Sequence, residues 1–415
     1  MGLPEPLPDR VRALDVNIAG LPAGQLLRHS VYEFRYQDPR PEQPEVSLLM
    51  PARSSPTWRD GDLFPSMDQN IPEGDLLIRL RALVPKQGLT PMQLLALIGQ
   101  NGIGRVGFQL PGTEPPAAPP TLTREALLRT RYTPAVFDKL VSAYLSTGAG
   151  IAGMQPKIMV PARPTVPIPS LIVKAASPAY PGIAANEFLC LQAAHRAGIE
   201  VPGHALSDDG QMLVIDRFDL ESGTDGQIQR LGFEDIAALG GLRVRDTLSN
   251  RKYQGSYQRV AQLLRKFMLG PQDLARFFEQ VAFTVMVRNG DGHLKNYGLL
   301  YRSSEDMRLA PMFDVVTTAI YRYTQYPGGP ELEDRTLALK LFAGKGSSKA
   351  YPTTEELLAF GTRVCGVNAP ERVLQRIAQG MRETLDDAAG DDRVPKDMLA
   401  QLGAMWEIGL AYAQD

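Results

Sequence analysis

The chain has 415 residues, 44% of them hydrophobic and 22% charged, enough apolar content to fill a core in each of two or three domains. Its 44 Lys and Arg stand against 46 Asp and Glu, a net charge of -2, so no global field draws it to nucleic acid; contact with DNA would need a local patch or a partner. The longest apolar run, Val281 to Val287 interrupted by Thr284, is too short to span a bilayer, so no membrane association is expected. The opening MGLPEPLPDR has neither the basic nor the apolar region of a secretory signal. Cys190 and Cys365, far apart in sequence, fit buried thiols in a reducing compartment, and the cytoplasm is the expected location.

In chain order, residues 1–110 carry strand-like pieces at Val31 to Tyr36 and Val46 to Met50 and helix-like stretches at Asp75 to Leu83 and Pro91 to Gly99. This section reads as an N-terminal α+β subdomain. LPGTEPPAAPPTLT follows, with Pro at 111, 115, 116, 119 and 120, a composition suited to a linker over 111–120. From 121 to 220 the spacing predicts a helix over Ala135 to Leu145, a glycine-rich turn, strands at Lys157 to Val160 and Ser170 to Lys174, a helix over Ala184 to Ala197, and a strand from Met212 to Phe218. Residues 221–415 are mostly helical in pattern. In PQDLARFFEQVAFTVMVRNG, Leu274, Phe277, Phe278, Val281 and Val285 recur at helical spacing, and Asn289 with Gly290 supplies a helix end.

The stretch RNGDGHLKNYG then crowds Asp291, His293, Lys295 and Asn296 just past that buried helix. YGLLY, RSSED and MRLAPMFDVV read next as a hairpin, 297–301 out and 308–312 back, which sets Asn296 and Asp314 side by side at its open end. An amide oxygen and a carboxylate converging with Asp291 make a hard-oxygen site suited to Mg²⁺ and substrate phosphates. Asp, four residues, then Asn is the spacing of a protein-kinase catalytic loop, in which the Asp accepts the substrate hydroxyl proton and the Asn holds metal. A polar loop with Asx turns has the same composition, so the other kinase parts decide.

GAGIAGMQPK, residues 148–157, is a glycine-rich turn that leads into a strand and lets backbone N–H groups approach phosphates. A preceding helix argues against a dinucleotide fold there. SLIVK ends a strand on Lys174, Glu187 opens the following helix as its candidate partner, and MLVIDRF could present backbone groups and Phe218 to an adenine. The order, glycine turn, Lys, Glu, hinge, Asp291, Asn296, Asp314, is that of a kinase. AGKGSSK at 343–349 lacks the first glycine of a Walker loop, position 339 being Leu, and reads as a mobile loop. His29, His195, His204 and His293 have no zinc-ligand spacing.

GIAGMQPK, SLIVK, ANEFLCLQAAHRAGIEVP, VIDRFD, GDGHLKN and LAPMFDVVTT together resemble the HipA family of bacterial serine/threonine kinases, the toxin components of HipA/HipB-type toxin–antitoxin modules. The DLFPSMDQNIPEGDLLIRL stretch resembles that family's N-terminal subdomain. The resemblance implies an α+β, two-lobed protein-kinase-like fold: an N-terminal subdomain over 1–110, a kinase N-lobe core over 121–220 and a helical C-lobe over 221–415. It implies ATP and Mg²⁺ as cofactors and phosphorylation of a serine on a cellular protein, an aminoacyl-tRNA synthetase in known members, with inhibition of translation and growth. It also implies a HipB-like helix-turn-helix antitoxin that brings the pair to DNA.

By motif position, Asp291 becomes the general base, Asn296 and Asp314 the metal ligands, and Lys174 with Glu187 the phosphate lysine and its partner. Ala152, Gly153, Met154, Gln155 and Lys157 fall in the phosphate turn, Asp216, Arg217 and Phe218 at the adenine, His293 and Lys295 beside the phosphates, and Phe313 before the metal-binding Asp. The family's autophosphorylated serine is Gly150 here, which leaves Ser146 or Thr147, or the partner alone, for that regulation. Gly290, where Thr is more usual in the family, reads as a helix-ending glycine. Two rival functions remain: a pseudokinase acting as a DNA-bound corepressor with the antitoxin, and a metal-dependent phosphohydrolase.

Overall fold

The computed structural model describes residues 7–38, 44–73, 77, 80–81, 88–113, 123–146, 157–160, 170–223, 226–324 and 331–414. Its contacts divide the chain into two compact units that interleave in sequence. The first takes residues 1–175, 214–251 and 298–307; the second takes 176–213, 252–297 and 308–415.

The first unit begins with an antiparallel sheet of β1 (Ala13–Ile18), β2 (Leu21–Arg28), β3 (Tyr32–Tyr36), β4 (Thr57–Asp60) and β5 (Val106–Gln109), in the order β4-β3-β2-β1-β5. Ala19 and Gly20 both have positive φ, 50° and 85°, the backbone that a two-residue hairpin loop between twisted strands requires. Leu14, Leu26 and Phe34 stand opposite one another on adjacent strands and are fully buried, a cross-strand row on the inner face. A helix at Pro91–Ile98 packs beside it, opened by a capping box in which Thr90 and Gln93 exchange hydrogen bonds.

Val46 to Met50, expected as a strand, is a turn-rich loop. Its residues are mostly apolar, but its backbone N–H groups at Val46 and Leu48 bond to side chains rather than to a neighbouring strand. The Val46 N–H donates to the Tyr36 hydroxyl at 3.1 Å and the Leu48 N–H to the Glu234 carboxylate at 2.6 Å. Ser47 and Tyr301 also donate to Glu234, each at 2.8 Å, and burial pushes that carboxyl up to about 6. The 75–83 helix and the 111–120 linker fall largely outside the described residues.

β6 (Lys157–Val160) and β7 (Leu171–Ala175) pair antiparallel with Lys157 opposite Lys174. β8 (His204–Leu206) belongs to the second unit, where Ser207 N–H bonds the Met212 carbonyl, and β9 (Met212–Asp216) runs beside β7. The strand expected to reach Phe218 ends at Asp216 because Arg217 turns its side chain into a buried ion pair with Asp219. A short ribbon of β10 (Leu220–Ser222) and β11 (Ile228–Arg230) follows, then β12 (Gly232–Asp235), which pairs with β13 (Gly298–Ser303), itself beside β14 (Asp306–Leu309). The hairpin read from the sequence is thus present, with its strands extended to a two-residue turn at 304–305. Arg302 and Asp306, read as turn residues, form an ion pair at 2.7 Å across that turn.

The second unit is mainly helical. Pro271–Met286 is its central helix, and Phe277, Phe278, Val281, Val285 and Met286 are all fully buried. The helices Ile183–Arg196 and Pro370–Ala388 pack on each other at Gly380, where a Cβ atom would stand 2.6 Å from the Ala193 carbonyl oxygen, so only glycine permits the approach. Tyr257–Lys266 and Lys396–Leu410 complete the layer around the central helix. Among the described residues no helix is long and apolar enough to cross a membrane. Both cysteines are free and buried, and burial raises each thiol to about 12.

Candidate active site

The central helix ends at Met286, and the chain leaves it through Arg288, whose φ is 57°. Left-handed backbone was expected of a glycine at this exit, yet Gly290 has no positive φ. Gly290 is required for space instead: a Cβ there would collide with the Asp334 carboxylate. The Gly290 N–H donates to the Thr318 hydroxyl at 2.6 Å, and that hydroxyl donates to Asp334 at 2.7 Å. Asn289 then accepts the Asp291 N–H at 2.9 Å in an Asx turn, and the Tyr257 hydroxyl donates to the Gly292 carbonyl at 2.8 Å. Asp291 is therefore held in a loop whose every turn is fixed by a named bond.

The Asp291 carboxylate accepts from the Tyr253 hydroxyl at 2.7 Å and lies 3.9 Å from His293 Nε2. Desolvation among these groups is the largest influence on it and pushes its carboxyl up to about 6. The Tyr253 bond and Lys252 work the other way, and the negative charges of Asp314 and Asp334 reinforce the rise. An open edge remains, since 42% of the side chain is exposed, so a substrate hydroxyl has access to the carboxylate. A carboxylate with a raised pKa and an open face is fitted to receive a proton near neutrality.

Asn296 closes a 3₁₀ turn, Leu294–Asn296, and donates from Nδ2 to the Asp314 carbonyl at 3.2 Å. That bond orients the amide, and the buried Asn296 Oδ1 has no hydrogen-bond partner among the described residues. Asp314 has a φ of 57°, uncommon for a side-chain-bearing residue and of the kind found where function demands it. The segment after it is clamped. Asn186 donates to the Thr317 carbonyl at 3.1 Å and accepts the Thr317 N–H at 2.9 Å, while Trp406 donates to the Thr317 hydroxyl at 2.8 Å.

Asp291, Asn296 and Asp314 thus belong to one region of one unit, as the sequence required. No cluster of three or more His, Cys, Asp or Glu suited to a metal occurs among the described residues. The donors present are a carboxylate and an orphaned amide oxygen. Such a pair fits Mg²⁺, which keeps water and substrate phosphate in its remaining positions, and does not fit zinc.

His293 is buried with its ring edge-on to Tyr253, centroids 5.2 Å apart, Lys295 sits inside the 3₁₀ turn, and Phe313 directly precedes Asp314. Glu187 is fully buried on the Ile183–Arg196 helix of the same unit. In the first unit, Lys157 opens β6 and Lys174 is buried near the end of β7. Asp216 forms an ion pair with Arg124, and the Phe218 ring meets Phe233 edge-on at 5.2 Å. The Arg217 side chain is not available to an adenine: Nε donates to Asp219 at 2.8 Å and Nη2 to the Gly102 carbonyl at 2.8 Å, with no exposed surface. Ala152, Gly153, Met154 and Gln155, together with Thr147 and Gly150, lie outside the described residues; Ser146 is the last residue of the Pro134–Ser146 helix.

Three functional positions were missed by the sequence reading. Tyr253 and Lys252 come from a turn 38 residues ahead of Asp291, and RKY gave only a basic–aromatic signal. Lys349, from the supposed mobile loop, donates to the Tyr253 carbonyl at 2.9 Å, and the Leu337 N–H bonds the Lys349 carbonyl at 2.7 Å. The loop's far end is therefore anchored beside the site.

Residues 149–389 match the profile described as the HipA-like C-terminal domain, and residues 14–109 match the HipA N-terminal domain. The chain belongs to the HipA family. Among curated relatives, "Putative kinase Y4mE" of Sinorhizobium fredii is 25% identical over 75% of this chain and 78% of its own length. "Putative kinase Y4dM" of the same organism is 30% identical over 37% of this chain, and that alignment spans only 38% of the relative. A chain of the Shewanella oneidensis MR-1 HipA, HipB and operator DNA complex superposes with a TM-score of 0.65 at 17% identity, covering 96% of both chains. The fold is accordingly the mixed α/β, two-lobed kinase-like fold of HipA.

Proposed function

We propose that the chain is an ATP- and Mg²⁺-dependent serine/threonine protein kinase that acts as the toxin of a HipA/HipB-type pair. The observation that carries this reading is the orphaned Oδ1 of Asn296, set beside a left-handed Asp314 and within one loop of Asp291. A buried acceptor without a donor is disfavoured unless a ligand completes it, and a cation is the ligand that an amide oxygen and a carboxylate share. Mg²⁺, when bound, neutralises charge on the transferring phosphate and fixes its position. Asn296 and Asp314 would hold it, and Asp291 orients a serine hydroxyl and accepts its proton as the oxygen bonds to the γ-phosphorus of ATP and the bond to the bridging oxygen breaks, ADP leaving in line.

From the first unit, Lys157 and Lys174 are assigned to phosphate and the backbone from Asp216 to Phe218 to the base. From the second, Glu187, His293, Lys295 and Phe313 are assigned to supporting the nucleotide. The protein substrate we infer is an aminoacyl-tRNA synthetase, with arrest of translation as the consequence. A helix-turn-helix antitoxin of the HipB type would restrain the toxin and carry it to DNA; support for that partner is that the Shewanella homologue was solved with HipB and operator DNA. The test is phosphoproteomics after induction of the intact chain and of Asp291→Ala. The reading predicts new phosphoserines only with the intact chain; identical phosphopeptides from both would refute it and favour a nucleotide-binding corepressor.

A further inference from the structure

A cavity of about 900 Å³ in the second unit takes no part in the roles assigned above. Arg288, Arg322, Arg335 and Tyr351 line it together with the carboxylates of Glu333 and Asp334 and the apolar Met405 and Ile408, the last 47% exposed. Arg288 is the residue that stands in left-handed backbone at the exit of the central helix, a conformation in which a long side chain is rarely placed. Its guanidinium lies over the Tyr351 ring, 3.5 Å from the centroid. Among the described residues, the buried Nε of Arg288 has no hydrogen-bond partner, and neither has the buried Tyr351 hydroxyl.

The neighbouring charges are engaged elsewhere. Arg335 pairs with Glu333 at 2.5 Å, Arg322 lies 3.5 Å from Glu331 and 3.6 Å from Glu333, and Asp334 accepts the Thr318 hydroxyl. A stacked, partly desolvated cation whose Nε lacks an acceptor among the described residues, and an adjacent unpartnered hydroxyl, therefore belong to residues that line one cavity with an apolar wall. Guanidinium binds phosphate through its planar fork, and the three arginines that line the cavity outnumber its two carboxylates, Glu333 and Asp334, which leaves net positive charge for an anion.

We propose that this cavity is a second ligand site, for a phosphomonoester carried on a short apolar or aromatic body. Arg288 and the Tyr351 hydroxyl take the phosphate; Met405 and Ile408 cover the body. The ligand would rest on the loop that presents Asp291, because Arg288 precedes that residue by three positions and Asp334 packs on Gly290. The proposal does not depend on the chain being a kinase.

Calorimetric titration of the full chain with phenyl phosphate tests it, using the wild type, Asn296→Ala, Arg288→Gly and Tyr351→Phe. Saturable binding is expected in the wild type and in Asn296→Ala, whose change lies at the proposed metal position instead. Arg288→Gly should weaken binding about tenfold or more and Tyr351→Phe several-fold, the scale of a lost charged and a lost neutral hydrogen bond. Glycine accepts the positive φ, so the first variant folds, and the second deletes only an unpartnered hydroxyl. Phenol should not bind. A short phosphoseryl peptide that binds more tightly than phenyl phosphate would mark a phosphorylated side chain as the source; weaker binding would mark a free metabolite. The proposal falls if the wild type fails to bind phenyl phosphate, if Arg288→Gly binds it like the wild type, or if Asn296→Ala abolishes binding.

Discussion

In the first unit, Asp219 accepts from Arg217 at 2.8 Å and from the Gly104 N–H at 2.7 Å, and its side chain has no exposed surface. In the second, Asp291 accepts from Tyr253, keeps an open edge, and lies one 3₁₀ turn from an amide oxygen with no hydrogen-bond partner among the described residues. Both are aspartates among buried groups, yet only the first has its bonding complete within the protein. The completed network fixes a loop: Arg217 and Arg230 both donate to the Gly102 carbonyl, and Arg230 also to that of Gly104. The incomplete one is poised for a ligand. A buried polar cluster therefore reads as structure or as site according to whether its bonding is finished, rather than by its charge.

That contrast can be broken by mutation, and the largest expected effect is on chemistry. Asp291→Ala should lower phosphoryl transfer about 10² to 10⁴-fold while ATP binding persists, as measured by ³²P incorporation and calorimetry. Asp219→Ala should do the reverse. Removing one partner of a buried ion pair costs about 3–5 kcal/mol of stability, visible as a lowered denaturation midpoint, with transfer retained by the molecules still folded.

Smaller effects sharpen the account. The transfer rate should fall on the acid side with a midpoint near 6, where Asp291 becomes protonated. Tyr253→Phe removes a donor that favours the charged carboxylate, so that midpoint should move upward by up to about one pH unit. A pH–rate profile unchanged by the substitution would show that Asp291 does not control the limb. Because folding raises this pKa, the native state binds the proton more tightly than the unfolded chain. The associated stability is therefore present below the unfolded value near 4 and lost as pH rises through about 6. Asp291→Asn should accordingly be more stable than the wild type at neutral pH, by about 1 kcal/mol once solvent screening at the exposed edge is allowed for. Thermal melts at pH 5 and pH 7.5 check this, with the gain expected mainly at the higher value.

The parts of the fold that could be read in the sequence are those governed by local periodicity. The central helix declares itself through Phe277, Phe278, Val281 and Val285, and the β13–β14 hairpin through two apolar runs around a polar turn, so the adjacency of Asn296 and Asp314 followed. What could not be read depends on partners distant in sequence. Val46 to Met50 has a strand's apolar content, but Tyr36 and Glu234 take its backbone groups. Gly290 looked like a helix end, whereas Arg288 carries the left-handed backbone and Gly290 makes room for Asp334. Tyr253 reaches Asp291 across 38 residues, Lys349 reaches Tyr253 across 96, and Asn186 holds Thr317 by two bonds across 131, and no pattern in their own neighbourhoods marks them.

The central claim, that Asn296 and Asp314 hold a nucleotide-bound divalent ion beside Asp291, is met most directly by electron paramagnetic resonance with Mn²⁺ and ATP. Titration of the intact chain, Asn296→Ala and Asp314→Asn is predicted to show a tight Mn²⁺–ATP complex in the first and affinity reduced by about tenfold or more in the other two. Equal Mn²⁺–ATP affinity in all three proteins would contradict the account.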